Sequence, residues 1–162
     1  MSRAFVREDD GIVVAPMPDR PISPHPNFVT ERGLALIDAE LQRWRHELAT
    51  ATDADDQEAM GRANRELRYW SARRSTAQVT VPDADADRVV FGALVELERT
   101  DGKPMRLRIV GEDEADPVTG RIAWTTPVAS ALLGAEAGDS RRLPTGEVEI
   151  LAIQTAPEPV EA

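Results

Sequence analysis

The side chains of this chain that could do chemistry are carboxylates and guanidiniums, and they fall into three groups. Asp53, Asp55, Asp56 and Glu58 crowd together between two amphipathic stretches. Glu112, Asp113, Glu114 and Asp116 form a second acidic run, and Arg62, Arg65 and Arg68 recur at a spacing of three. Carboxylate oxygens are hard donors of the kind Mg²⁺ prefers. Guanidiniums at successive i, i+3 positions lie near one helix face, where they can meet phosphate or an acidic wall. Each group also has a plainer reading. Acids at a helix start cap it and complement its macrodipole, and Asp55 with Glu58 has the form of a capping box with Asp in place of Ser or Thr. The arginines can pair instead with Asp38, Glu40 and Glu47 of a facing helix, and the second acidic run can be a solvated turn.

What the chain lacks narrows the chemistry further. It has no cysteine, which removes disulfides, thiolate nucleophiles and the usual zinc sites. His25 and His46 are the only histidines, cannot build a metal site by themselves, and are expected to be solvated. Aromatics make up 4% of the residues, too few for a base-stacking nucleic-acid module. The formal charge of −10 opposes non-specific attachment to DNA. It is unevenly spread: residues 27–79 carry eight positive and nine negative charges, whereas residues 80–162 carry eight and sixteen. No apolar run reaches membrane-spanning length, and the first residues show neither the basic nor the apolar region of a signal peptide. A cytoplasmic protein with no membrane contact is expected.

The elements that must position these groups follow from periodicity. Residues 1–26 hold Pro16, Pro18, Pro21, Pro24 and Pro26 without periodicity, and are expected to form a flexible tail. Leu34, Ile37, Leu41, Trp44 and Leu48 then repeat at three and four, the stripe of an amphipathic helix with Thr30 as its N-cap. After the acidic break, Met60, Ala63, Leu67, Trp70 and Ala77 make a second stripe. Two helices of about 20 residues, each roughly 30 Å long, form an antiparallel coiled-coil hairpin over 27–79, with Trp44 and Trp70 in its seam. An Asp-rich linker covers 80–87. Beyond it, Val89, Phe91, Ala93, Val95 and Leu97 alternate as a strand, Asp101-Gly102 is a turn, and Met105, Leu107 and Ile109 alternate again. Arg121 to Thr125 reads as a third strand, Pro127 opens a short helix, Gly134 can cap it, and Val148, Ile150 and Ala152 mark a last strand. The expected class is α+β: a helical hairpin plus an antiparallel β domain over 88–156, followed by a tail, 157–162.

Three passages carry a family resemblance. They are Val89-Val90-Phe91-Gly92-Ala93, then Arg108-Ile109-Val110-Gly111-Glu112-Asp113-Glu114-Ala115-Asp116, then Thr126-Pro127-Val128-Ala129-Ser130-Ala131-Leu132-Leu133-Gly134 with Gly138-Asp139 and Pro144-Thr145-Gly146-Glu147. In this order they resemble the C-terminal domain of bacterial GreA/GreB transcription elongation factors. Thr126 stands where serine is usual and Ser130 where a basic residue is common.

The resemblance implies an N-terminal coiled-coil finger and an FKBP-like C-terminal domain, without prolyl isomerase activity, since fold is not function. It implies RNA polymerase as partner, entry of the finger into the secondary channel, and promotion of cleavage in backtracked transcripts. The chain would then be no enzyme itself but would stimulate the polymerase's own cleavage activity. Asp55 and Glu58, with Asp53 and Asp56 beside them, would deliver oxygen ligands to a Mg²⁺ shared with the polymerase, no cofactor being tightly bound. Arg62, Arg65 and Arg68 would contact the channel or the 3′ end of the nascent RNA, and Glu112, Asp113, Glu114, Asp116 and Pro127 would belong to the polymerase-docking signature. A monomer is expected. The family's glycine-aspartate tip motif and asparagine-rich helix opening are absent here, and each arm is shorter than the family pattern by roughly eight residues, or about 12 Å. These departures match short-finger homologues such as the regulator of nucleoside diphosphate kinase, which bind the channel without cleavage. A free-standing enzyme is the third reading, and no His, Cys or Ser constellation supports it.

Overall fold

The computed structural model describes residues 16–160. Residues 1–15 and 161–162, the outer parts of the two expected tails, lie outside that range.

Two long helices dominate the first half. α1 runs Glu31–Asp53 and α2 runs Gln57–Thr76. Thr30 caps α1 as its position suggests, its hydroxyl accepting from the Gly33 amide at 2.9 Å. The stripe on α1 buries Ile37 and Leu41, and the stripe on α2 buries Ala63 and Trp70. At the base, Val29, Ile37, Leu41 and Trp70 form one apolar cluster, flanked by Leu34, Trp44, Leu67 and Ala77. The helix tops are thinly packed, with Ala51 the last buried residue of α1. Two short strands close the base: β1 (Phe28–Val29) pairs in parallel with β2 (Gln78–Val79). Asn27 is buried beside them and donates to the Arg73 carbonyl at 2.7 Å.

The second half is a five-stranded sheet built from β3 (Leu94–Arg99), β4 (Pro104–Val110), β5 (Arg121–Ala123), β6 (Ser140–Leu143) and β7 (Gly146–Gln154), in the order β5-β4-β3-β7-β6. Alternation puts Val95, Leu97, Leu107, Ile109, Val148 and Ile150 on one face. The helix α3 (Pro127–Leu132) covers that face with Ala129 and Leu132. Its N-cap is Thr126, whose hydroxyl accepts from the Ala129 amide, so threonine serves where serine was the expected residue.

Three expectations for this half need correction. The sheet is mixed: β4 and β5 run parallel, with Arg108 opposite Arg121 and Val110 opposite Ala123. The segment between them doubles back on itself, Asp116 and Arg121 exchanging two backbone hydrogen bonds, so a short connection returns β5 in the same sense as β4. The first strand begins at Leu94, not Val89, because Gly92 adopts φ +85° and interrupts the extended chain. Val89 is buried all the same, bonded through its backbone to Gly134 and Ala135. Finally, β6 was not expected, since Ser-Arg-Arg-Leu carries only one inward apolar residue, Leu143, which suffices for an edge strand.

Candidate functional site at the two ends of the hairpin

The hairpin tip is the turn Ala54-Asp55-Asp56. Asp55 lies in the left-handed region at φ +52°, a conformation that Asp tolerates better than most residues. The N-cap of α2 is Asp56, not Asp55: its carboxylate accepts from the Ala59 amide at 3.0 Å. The expected capping box therefore does not form, because Glu58 falls at the second helical position and Ala59 occupies the third. Asp55 accepts from the Gln57 side chain at 3.1 Å. Asp53, Asp55, Asp56 and Glu58 are all exposed. Among the described residues no three carboxylates or histidines converge closely enough to hold a metal ion. The donor type suits Mg²⁺, but the tip supplies only part of a coordination shell.

Arg62, Arg65 and Arg68 do not pair with the facing arm among the described residues. Arg68 pairs with Asp19 at 2.6 Å and Arg65 approaches the Met17 sulfur at 3.9 Å, both in the proline-rich segment that precedes β1. Arg62 is exposed and pairs with no described carboxylate. The same segment adds Arg20, which pairs with Glu66 at 2.6 Å and lies 3.7 Å from the centre of the Tyr69 ring. The one ion pair between the arms is Arg74 with Asp38, at 2.6 Å. Of the expected acidic partners, Glu40 turns instead to Arg43 of its own helix. His25 sits edge-on to Trp124 at 5.8 Å, and both His25 and His46 are exposed as expected.

The acidic run 112–116 is not a solvated turn. It forms a tight helical turn, Glu112–Glu114, set against the base of the hairpin. Asp113 accepts from the Arg73 Nε at 2.5 Å and from the Tyr69 hydroxyl. Glu112 accepts from the Ser23 hydroxyl at 3.0 Å and lies 3.6 Å from Arg73. Glu114 is buried, takes the hydroxyl of the α1 cap Thr30, and pairs with Arg121 at 2.9 Å. Arg73 and the Asp113 carboxylate are 2% and 7% exposed, so this pair is withdrawn from water. Burial first, then the hydrogen bond to Asp113 and that carboxylate's charge, push the Tyr69 phenol up to about 12.

Two glycines mark how closely the parts approach. A Cβ at Gly33 would stand 2.8 Å from the Glu114 carboxylate, and one at Gly111 would stand 2.5 Å from the Phe28 carbonyl. The docking signature thus divides: Glu112, Asp113 and Glu114 turn inward, while Asp116 and Pro127 are exposed. Asp116 also caps the next turn, accepting from the Val118 amide at 3.2 Å. Tyr69 and Arg73 are the residues that sequence reasoning missed. Arg73 lies three positions beyond the seam residue Trp70, a spacing that hints at burial, but nothing local names Asp113 as its partner.

The structure is thus a helical hairpin fixed by buried acids to a small mixed sheet, with exposed acids at its far end. Residues 83–155 match the family described as transcription elongation factor, GreA/GreB, C-term. The transcription elongation factor GreA of Desulfovibrio desulfuricans is 41% identical over 102 residues, covering 59% of this chain and 63% of that protein. The GreA of Ralstonia nicotianae is 34% identical over 145 residues, covering 75% of this chain and 91% of that protein. Among solved structures, the GreA factor homolog 1 of Thermus thermophilus is 23% identical, with 80% of this chain and 99% of that chain covered and a TM-score of 0.40. The chain belongs to the GreA/GreB family of transcription elongation factors. Among the described residues no helix is long and apolar enough to cross a membrane.

Proposed function

We propose that this protein binds RNA polymerase by inserting its hairpin into the secondary channel, and that it promotes cleavage of backtracked transcripts. The observation that carries this reading is the contrast in the carboxylates: those at the tip are exposed and, among the described residues, unpaired by any cation, at the end of a projection some 30 Å long. A factor of this kind need supply only one or two oxygen ligands, since the polymerase holds the catalytic centre. Asp55 and Glu58 would lend those oxygens to a Mg²⁺ ion shared with the polymerase, and the ion would supply a metal-activated water. Asp116 and Pro127, both outward-facing, belong to the surface available for docking, whereas Glu112, Asp113 and Glu114 act by holding the hairpin in place. Arg62, the exposed arginine nearest the tip of the three, is the residue available to the nascent RNA 3′ end or the channel wall. The protein would act as a cytoplasmic monomer and would have no catalytic activity without the polymerase.

A specific observation favours a second reading, a channel regulator without cleavage. Asp56 is engaged as a helix cap and Asp55 is held by Gln57, so two of the four tip acids already have intramolecular work. The deciding experiment is transcript cleavage in a backtracked polymerase complex with magnesium, comparing wild type with Asp55→Ala/Glu58→Ala. Shortening of the RNA by wild type alone supports metal delivery. If neither protein shortens the RNA yet wild type displaces another channel binder, the regulator reading stands. Cleavage in the absence of polymerase would overturn both.

A further inference from the structure

Three arginines from three separate elements converge on one carboxylate near the C-terminus. Arg32 comes from α1, Arg108 from β4 and Arg121 from β5, and the carboxylate is Glu158. The fit is lopsided. Both Glu158 oxygens are taken by one nitrogen of Arg121, at 2.5 and 2.7 Å. Arg108 Nε stays 3.5 Å away and Arg32 Nη1 stays 3.7 Å away, beyond ordinary hydrogen-bond length. A carboxylate has two oxygens and a planar shape, which suits one guanidinium fork and cannot reach three.

The three guanidiniums carry more positive charge than Glu158 alone neutralises. Among the described residues Glu114 pairs with Arg121, and Glu31 and Asp116 line the clefts beside Arg32 and Arg121 without an ion pair to either. An open cleft of about 400 Å³ adjoins the cluster, lined by Arg106, Arg108, Thr119, Gly120 and Arg121 beside Glu158. The segment carrying Glu158 has no helix or strand, and its nearest anchor is the Thr155 hydroxyl, which donates to the Ala84 carbonyl at 3.0 Å. Lifting it breaks no sheet ladder.

We propose that Arg32, Arg108 and Arg121 form a binding site for a terminal phosphoryl group, as in pyrophosphate or a nucleotide, and that Glu158 is a tethered stand-in for it. A terminal phosphoryl offers three non-bridging oxygens in a tetrahedral array, one for each guanidinium. A backbone phosphodiester offers two and has no such advantage over the glutamate. Burial pushes the Arg108 guanidinium down from its ordinary value, the direction expected of a cation whose nearest carboxylate stays beyond hydrogen-bond reach. The proposal does not depend on polymerase binding.

The test is calorimetric titration of the full chain with pyrophosphate. A tethered competitor lowers apparent affinity by the fraction of time it occupies the site, so Glu158→Gln is expected to tighten pyrophosphate binding about tenfold. Adding Arg32→Gln, at a half-exposed position where folding is not at stake, is expected to reverse most of that gain. Circular dichroism of each variant checks that the fold is intact. If Glu158→Gln binds pyrophosphate no better than wild type, or if the gain survives Arg32→Gln, the assignment is wrong and the cluster is only an ion-paired clasp. If an RNA oligomer lacking terminal phosphates binds Glu158→Gln as tightly as pyrophosphate does, the terminal-phosphoryl specificity is wrong as well.

Discussion

The two ends of the hairpin use the same chemical group in opposite ways. At the tip, Asp53, Asp55, Asp56 and Glu58 stand in water and form no ion pairs among the described residues. At the base, Asp113 and Glu114 are out of water, each with a cation and a hydroxyl as partners. A carboxylate in high dielectric costs little to keep charged and contributes little to folding. A carboxylate withdrawn from water must be fully partnered or it destabilises the fold. The base therefore fixes the hairpin's direction, and the tip is left free to serve something outside the molecule.

The largest effect that would break this contrast is at Arg73. Arg73→Ala leaves the Asp113 charge buried without its cation, and should cost about 3–5 kcal/mol of stability in urea denaturation. The comparison sharpens with a double variant. Arg73→Met with Asp113→Leu removes both charges and should recover much of the loss, because an apolar pair of similar volume avoids the desolvation penalty. Should Arg73→Ala unfold at the wild-type midpoint, the base is not held by this pair.

Tyr69 extends the same test to pH. Its phenol is held at about 12 in the folded protein against an ordinary value of 10.0, with burial the largest cause and Asp113 next. The neutral phenol is the form the fold prefers, so this contribution is complete below pH 10. It is lost progressively as pH rises from about 10 toward 12. Melting temperature should therefore fall across that window in wild type and fall less in Tyr69→Phe. Below the window, Tyr69→Phe should itself cost about 1.5–3 kcal/mol, the range for a hydrogen bond to a charged group.

How much of this was legible in the sequence follows the range of the interactions. The two helices and the Thr30 cap are local, encoded in three-and-four spacing and one hydroxyl, and they appear where the pattern puts them. The β-hairpin with its Asp101-Gly102 turn is nearly local and was also readable. The joint was not. Arg73 and Asp113 are 40 residues apart, and each looks like surface charge when seen alone. Gly33 sits in the first turn of α1, and the Glu114 carboxylate packed against it, 84 residues from the Thr30 cap it also engages, accounts for the missing side chain. The acidic run was recognisable as a signature, but its inward direction depends on where the hairpin base sits.

Asp56 and Asp55 make the next prediction, since the capping role was expected of the wrong one. Asp56→Ala removes the bond to the Ala59 amide and should cost about 1 kcal/mol. Its reading is the unfolding midpoint of the full chain, and an unchanged midpoint would mean that this end of the hairpin frays without affecting the whole.

The smallest stability effect belongs to the pair on which the proposed function turns. Asp55→Ala/Glu58→Ala touches no core residue, no buried pair and no helix cap, so stability should stay within about 0.5 kcal/mol of wild type. Part of even that change comes from placing alanine at a positive φ, which Asp tolerates better. Asp55→Gly with Glu58→Ala separates the two contributions, because glycine relieves the backbone while still removing the carboxylate. If both double variants fold like wild type and neither supports cleavage in the polymerase assay, the tip acids act outside the molecule. If the glycine version retains cleavage, the carboxylate at position 55 is dispensable, and the tip contributes shape to the channel in place of a ligand to its metal.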